Sequence, residues 1–246
     1  GSLFFIATAY HMLGDDNNCI KYCDLSLEKN SSNSGAYHIK ATSLNYLEKY
    51  EEAVPFFQRA IVLESEKEHI AKSYRGMGYS YYTLKLYDQA LDAYNKAIEM
   101  DKTVAIPYVM IAQIYAATDK KDKVLDAYYR GKENASKEAK EYITILFNIG
   151  LYEQMKGNYE KALSAYKELI GIDPDDYHTY AKLIQIYYHN KEYDKAVPLK
   201  EKLYKAYKEK TLPENMEDMF CIDQFKWEDK EIRVFEIYEE GDKKTI

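Results

Sequence analysis

Apolar, aromatic and small side chains recur along the chain with the spacing of a helix face. Tyr74, Met77, Gly78 and Tyr81 stand at positions i, i+3, i+4 and i+7, which places them on one side of a helix. A short turn follows, and residues 87–98 then show a second stretch with the same period. This pattern predicts pairs of amphipathic helices connected by tight turns.

The helix pairs repeat along the chain. A small or apolar residue marks the same place in each pair: Cys19, Ala53, Ala90, Val124, Ala162 and Ala196. Their successive separations are 34, 37, 34, 38 and 34 residues. A period in this range is typical of solenoids, in which each unit buries its apolar face against its neighbours. The sequence therefore predicts an all-α repeat array with one extended core.

One unit shows a more specific order of residues. Its first helix carries an aromatic residue, a Met-Gly pair and a tyrosine, and its second carries alanine, an aromatic residue and alanine: Tyr74, Met77, Gly78, Tyr81, Ala90, Tyr94 and Ala97. This order resembles the tetratricopeptide repeat. The resemblance implies a right-handed superhelical solenoid of helix-turn-helix units over about residues 1–210. Six units are predicted, at residues 1–33, 34–67, 71–104, 105–138, 143–176 and 177–210.

The two wider separations change the expected shape of the array. They place three or four extra residues near Ser65–Ile70 and near Asn134–Ala139. This insertion is close to one turn of helix. The sequence therefore predicts longer helices at these two junctions.

The pattern changes after Lys210. Residues 219–227 and 231–238 alternate between two faces in the manner of β-strands, and Glu228-Asp229-Lys230 fits a turn between them. A lone hairpin is only marginally stable in water. The segment 211–246 is therefore predicted to form a short C-terminal β-hairpin, and two interpretations stay open: a cap on the solenoid, or the start of a further domain.

Charge and hydropathy exclude two classes of partner. The net charge of −7 argues against nucleic acid, because phosphate binding needs a dense basic surface. No stretch approaches the roughly 20 apolar residues of a membrane helix, so no membrane insertion is expected. The sequence predicts a soluble protein and weakly favours the cytoplasm, with a removed targeting segment open as an alternative.

Residues that could carry chemistry have simpler structural interpretations. Cys19 and Cys23 lie one helical turn apart with no second pair at metal-ligand spacing, which favours buried structural thiols. The pairs Asp15-Asp16 and Asp175-Asp176 fit turn and helix-cap positions. The chain shows no nucleophile elbow, phosphate-binding glycine loop or zinc-binding helix motif. A non-enzymatic protein without a cofactor or metal is therefore predicted.

The resemblance also implies where a ligand would bind. In tetratricopeptide repeats a concave groove is lined by the first helix of each unit, on the side that faces away from the second helix. On this chain the predicted peptide-binding positions carry no Asp or Glu, although the chain has 41 acidic residues. These positions are His38, Lys72, Arg75, Tyr79, Tyr82, Val109, Gln113, Phe147, Asn148, Leu151, His178, Lys182, Gln185 and Tyr188. A protein or peptide partner with acidic residues is predicted, and a surface that is poor in acids without any particular ligand is the alternative.

The most direct functional prediction is a non-enzymatic scaffold or adaptor that binds a peptide segment of a partner protein. A regulatory or substrate-docking arm of a larger enzyme or signalling protein, continuing past Ile246, is the main alternative. Self-association through the terminal repeats is a further one, because the apolar run Leu3-Phe4-Phe5-Ile6 has no preceding neighbour.

Overall fold

The computed structural model describes residues 2–209 and 211–212 with their side chains, except the side chain at 207, and the backbone of residues 221–227, 230–239 and 242–245. Residues 2–208 form six helix pairs: α1 (Ser2–Met12) and α2 (Asp16–Lys29), α3 (Ser34–Tyr46) and α4 (Tyr50–Leu63), α5 (Lys67–Thr83) and α6 (Tyr87–Met100), α7 (Ile106–Ala117) and α8 (Lys121–Asn134), α9 (Lys140–Met155) and α10 (Tyr159–Ile172), and α11 (Tyr177–His189) and α12 (Tyr193–Lys208). The predicted all-α helix-turn-helix architecture is confirmed.

The longer helices predicted at the two wide junctions are present. Helices α5 and α9 contain 17 and 16 residues. The other helices that open a pair contain 11 to 13 residues. The inserted residues therefore extend the first helix of the third and fifth pairs, which begin at Lys67 and Lys140.

The two helices of each pair are joined by a turn that has one residue in the left-handed region, where φ is positive. These residues are Gly14, Glu48, Lys85, Asp119, Gly157 and Lys191, with φ between 55° and 77°. Their separations follow those of the repeated alanine position. Four of the six are not glycine, although a side chain costs free energy in this conformation. The positive φ thus recurs with the period of the repeat and does not require glycine at the turn.

The repeated alanine position lies in the core of every pair. Its six occupants, Cys19, Ala53, Ala90, Val124, Ala162 and Ala196, are all 0% exposed. Four residues further along each second helix stands another buried side chain, which is larger in every pair except the first: Cys23, Phe57, Tyr94, Tyr128, Tyr166 and Lys200. The cysteines are free thiols, and burial raises the pKa of both Cys19 and Cys23. The prediction of structural thiols is confirmed for these two, whereas the side chain of Cys221 lies outside those described.

The predicted cap residues occupy helix starts. Asp15 is the N-cap of α2, and its carboxylate accepts a hydrogen bond from the backbone N–H of Asn18 at 3.1 Å. Asp176 is the N-cap residue of α11, and its carboxylate accepts a hydrogen bond from the hydroxyl of Thr179 at 2.7 Å. Both aspartates therefore order helix ends, as predicted.

The chain divides into two compact units, Gly1–Ile145 and Leu146–Ile246, here called the N-terminal and C-terminal units. In the N-terminal unit consecutive helices pack side by side, α1 also contacts α3, and α3 also contacts α5. The three first helices α1, α3 and α5 therefore follow one another as neighbours in one layer. None of the helices described in either unit has the length and apolar character needed to cross a membrane.

Three backbone strands follow in the C-terminal unit: β1 (Cys221–Trp227), β2 (Lys230–Glu239) and β3 (Asp242–Thr245). Strand β2 pairs antiparallel with both of the others. The residues predicted to make the first turn, 228 and 229, lie outside the described residues. Whether this segment caps the repeats or begins a further domain stays a prediction.

Candidate functional site

A furrow runs between α3 and α5 in the N-terminal unit. Its larger cavity has a volume of about 510 Å³ and receives His38 and Asn45 from α3 and Lys72, Arg75 and Tyr79 from α5. The floor comes from buried aromatic rings of the second helices, and the far side comes from the next first helix. These contributors are Phe57, Tyr94, Ile106 and Met110.

Polar side chains bridge α3 and α5 along the furrow. The Nδ1 atom of His38 and the hydroxyl of Ser73 share a hydrogen bond of 2.9 Å. Asn45 donates from Nδ2 to the carbonyl of Gly76 at 3.2 Å and accepts from the hydroxyl of Ser80 at 2.8 Å. Because Ser73 and Ser80 are buried, these bonds satisfy groups that would otherwise be costly to bury. His38 and Asn45 thus fix the spacing of the two helices as well as lining the furrow.

Cationic side chains surround His38 in the furrow. Burial lowers the pKa of His38 to about 4, and the nearby charges of Arg75 and Lys72 act in the same direction. His11 and His69 contribute with the same sign. At neutral pH His38 is therefore uncharged, and Arg75 and Lys72 are cations that line the furrow.

The two cations differ in how they are paired. The Nζ atom of Lys72 lies 2.7 Å from a carboxylate oxygen of Glu68, one helical turn away. Arg75 has no carboxylate within ion-pair distance among the residues that the structure describes. Glu48 reaches the lining of the cavity from the turn after α3. The guanidinium of Arg75 is consequently open to an external anion.

The C-terminal unit has a separate surface cavity of about 370 Å³ between α9 and α11. It is lined by Leu151, Gln154, Met155, Tyr159, Gln185, Ile186 and His189. The ring of His189 lies 4.3 Å from the ring of Tyr159, measured between centroids. The exposed side chain of Met155 adds an apolar contact surface beside them.

The comparisons agree with this architecture. Sequence models of the tetratricopeptide repeat match residues 35–103 and residues 155–203. The chain belongs to the tetratricopeptide repeat family. Its matched ranges contain α3 to α6 in the N-terminal unit and most of α10 to α12 in the C-terminal unit.

Individual relatives of this tetratricopeptide repeat protein share its fold at low identity. The BBSome complex member BBS4 of Bos taurus is 28% identical over 137 residues, which is 56% of this chain but only 25% of that protein. The C-terminal part of a repeat protein from Cytophaga hutchinsonii superimposes with a TM-score of 0.65 at 16% identity, covering 82% of this chain and 78% of that one. YrrB superimposes with a TM-score of 0.52 at 21% identity, covering 77% and 98%.

The structure brings four of the predicted groove residues of the N-terminal unit into one site: His38, Lys72, Arg75 and Tyr79. Tyr82 packs its ring against Tyr87 at 6.0 Å and does not line the cavity. Val109 is only 7% exposed, and its neighbours Ile106 and Met110 reach the cavity instead. Gln113 lies on the surface outside this lining.

In the C-terminal unit, Leu151 and Gln185 line the cavity described above. The other five predicted residues pack within the unit or lie outside this lining. Phe147 contacts the ring of Tyr166 at 6.0 Å, and the hydroxyl of Tyr188 accepts a hydrogen bond from Lys200 at 2.9 Å. Asn148, His178 and Lys182 do not line the cavity either. Lys182 has no ion pair among the described residues.

The predicted set omitted contributors from outside the first helices. Phe57 and Tyr94 belong to second helices, whereas Glu48 and Tyr50 lie at the turn that joins α3 to α4. A signal for the two rings was present in the sequence, because both occupy the aligned position four residues after the repeated alanine. A Cβ atom at Gly76 would lie 2.5 Å from Phe57, so the glycine admits that ring to the floor of the furrow.

The depressed pKa of His38 predicts a loss of stability on acidification. The unfolded chain takes up a proton near pH 6.5, whereas the folded protein takes it up only near pH 4. The contribution of the uncharged His38 ring to the free energy of unfolding is therefore complete above pH 6.5 and is lost as the pH falls toward 4. We expect the difference in unfolding free energy between the wild type and His38→Gln to change by about 2 kcal/mol over this window. Urea denaturation at several pH values measures it.

A direct control is the NMR titration of the His38 ring in the folded protein. A midpoint near pH 4 agrees with the burial described above. A midpoint at the ordinary value of 6.5 would contradict both the burial of the ring and the influence of the nearby cations.

Proposed function

We propose that this tetratricopeptide repeat protein is a non-enzymatic scaffold that binds an extended peptide segment of a partner protein along its first helices. The observation that carries the proposal is the furrow between α3 and α5. It is lined by the cations Lys72 and Arg75 in a chain of net charge −7, and Arg75 has no ion-pair partner among the residues that the structure describes.

The chemistry of the furrow fits an acidic peptide. A guanidinium can bind a carboxylate through two parallel hydrogen bonds, which a lysine ammonium cannot do. Arg75 would supply this contact, with Lys72 beside it. Tyr46 and Tyr79 are 68% and 46% exposed and offer aromatic surface to neighbouring side chains of the ligand. In the C-terminal unit, Lys182 is the corresponding candidate for a second carboxylate.

Two of the proteins similar to this chain support a role in binding other proteins. The structure of YrrB is described as that of a repeat protein with an unusual peptide-binding site, and BBS4 is described as a member of a complex. Neither relative identifies the partner of this chain. The proposal therefore depends on the furrow and on a test with the protein itself.

Charge reversal in the two units tests the proposal. We expect the double variant Arg75→Glu/Lys182→Glu to weaken capture of its partner from the lysate of the source organism, and to weaken the purified complex at least about tenfold. The reason is that two carboxylate contacts become repulsive. Affinity capture with mass spectrometry identifies the partner, and calorimetry then measures the dissociation constant.

The matched control is Arg59→Glu/Lys205→Glu, which makes the same change in net charge at exposed positions of α4 and α12 outside both cavities. This control should bind as the wild type does. A partner that both double variants retain equally would place binding outside the first helices and would refute the proposal.

A further inference from the structure

The furrow between α3 and α5 contains a second cavity in line with the first. This cavity has a volume of about 270 Å³ and lies toward the beginning of α3. Phe4 of α1, Ile39 of α3 and Ala60 of α4 supply its apolar walls. Gly35 allows Phe4 to close over it, since a Cβ atom at Gly35 would lie 2.9 Å from the ring. The N-terminal unit thus offers two adjoining cavities of unlike chemistry.

The bond between His38 and Ser73 separates the two cavities. His38 and Lys72 contribute to the lining of both, and the 2.9 Å contact between the imidazole and the Ser73 hydroxyl crosses from α3 to α5 at this point. The edge of the imidazole also rests on the ring of Phe57, with the centroids 5.7 Å apart. Because the imidazole is held on two sides, it is a fixed partition rather than a movable side chain.

The polar groups at the rim of the second cavity are satisfied by one another. Ser34 donates its hydroxyl proton to the carboxylate of Glu64 at 2.8 Å, and the ring of His69 lies 3.4 Å from the same carboxylate. Glu64 also accepts hydrogen bonds from two backbone N–H groups that follow it. The open part of this cavity therefore favours an apolar side chain, whereas the first cavity presents the open guanidinium of Arg75.

The helices also define the distance between the two cavities. The lining residues of the second cavity precede those of the first by about four residues on α5 and about six on α3. At a rise of 1.5 Å per residue, this offset corresponds to roughly 6 to 9 Å. An extended or polyproline chain advances about 3.1 to 3.4 Å per residue. Side chains two or three residues apart in such a peptide span the same distance.

Building on the proposed function, we infer that the furrow recognises a two-point motif in its protein ligand. An acidic side chain occupies the first cavity against Arg75, and an aliphatic side chain two or three residues away occupies the second cavity against Phe4 and Ile39. The imidazole of His38 lies between the two bound side chains and sets their spacing.

Selection from a random dodecapeptide library displayed on phage, with the full chain as bait, tests this motif. We expect wild type to enrich peptides that carry Asp or Glu with Leu, Ile or Val two or three residues away. With Arg75→Gln as bait, the enriched peptides should lose the acidic residue and keep the aliphatic one. With Phe4→Ala, which widens the second cavity, the aliphatic residue should give way to an aromatic one. Arg59→Gln is the matched control and should select as the wild type does.

Synthetic peptides with leucine and glutamate separated by one to five positions then measure the spacing by fluorescence anisotropy. The dissociation constant should be at least fivefold lower at the two preferred separations. Enrichment of acidic peptides with no aliphatic preference would overturn the two-point motif and leave the proposed function intact. If the wild type, Arg75→Gln and Phe4→Ala all enriched the same peptides, the furrow would not be a peptide site, and both the motif and the proposed function would be overturned. The absence of any enrichment would have the same consequence.

Discussion

Truncation of Phe57 to alanine is expected to lower the free energy of unfolding by about 3–5 kcal/mol. Phe57 is 0% exposed and packs in a cluster with Ala41, Leu44 and Met77. Its ring also fills the space left by the missing side chain of Gly76. Removing the ring loses the transfer free energy of its burial and leaves a cavity. The cavity stays open because hydrogen bonds between α3 and α5 hold these helices in place. Urea denaturation followed by circular dichroism measures the loss.

Phe5 provides the matched control, because it undergoes the same chemical change at a side chain that is 70% exposed. We expect Phe5→Ala to alter the free energy of unfolding by no more than about 0.5 kcal/mol. Equal losses in the two variants would show that Phe57 does not occupy the packed position described here.

Substitution of Gly150 by alanine is expected to destabilise the protein by at least about 2 kcal/mol, although alanine is the better helix former. A Cβ atom at Gly150 would lie 2.3 Å from Cε1 of Tyr166 and 2.6 Å from two further ring atoms. The ring has no room to retreat, because Tyr166 is 0% exposed and its hydroxyl bonds to Gln154 at 3.3 Å. The steric cost therefore exceeds the gain in helix propensity.

Gly171 is the control for this prediction, since it lies in α10 with no atom within 4 Å of an added Cβ. Gly171→Ala should leave stability unchanged or raise it by up to about 1 kcal/mol. The double variant Gly150→Ala/Tyr166→Leu should lose less than the sum of the two single variants, because the smaller side chain relieves the clash. Additive losses would argue against direct contact between residues 150 and 166.

Much of the fold could be predicted from local sequence signals. Helix pairs, their period and the longer α5 and α9 follow from the spacing of apolar residues, because a helix face and its neighbour in a solenoid are set within a few tens of residues. The conformation of the turns was harder to predict from the sequence than the helices were. Gly14 and Gly157 suggest positive φ, but Glu48 and Lys85 adopt the same conformation with no such signal.

The candidate site was predicted in part. The pattern of the first helices placed His38, Lys72, Arg75 and Tyr79 on one surface, and all four line the larger cavity of the furrow. The rotation of each helix about its axis was not predictable at the level of single side chains, and Val109 is consequently buried whereas Met110 reaches the cavity. Helix rotation depends on how the side chains of neighbouring helices interlock, and this packing is a property of the assembled layer.

The sequence by itself therefore determined the repeat, the helix pairs and the column of small buried residues, because each depends on a local period. Only the tertiary structure decided which polar groups are satisfied and which remain open. Ser73 and Ser80 meet His38 and Asn45 across 35 residues of chain, and Arg75 meets no carboxylate of a neighbouring helix among the described residues. Those outcomes depend on distances of a few ångströms between different helices, and a hydrogen bond is lost when such a distance grows by a single ångström.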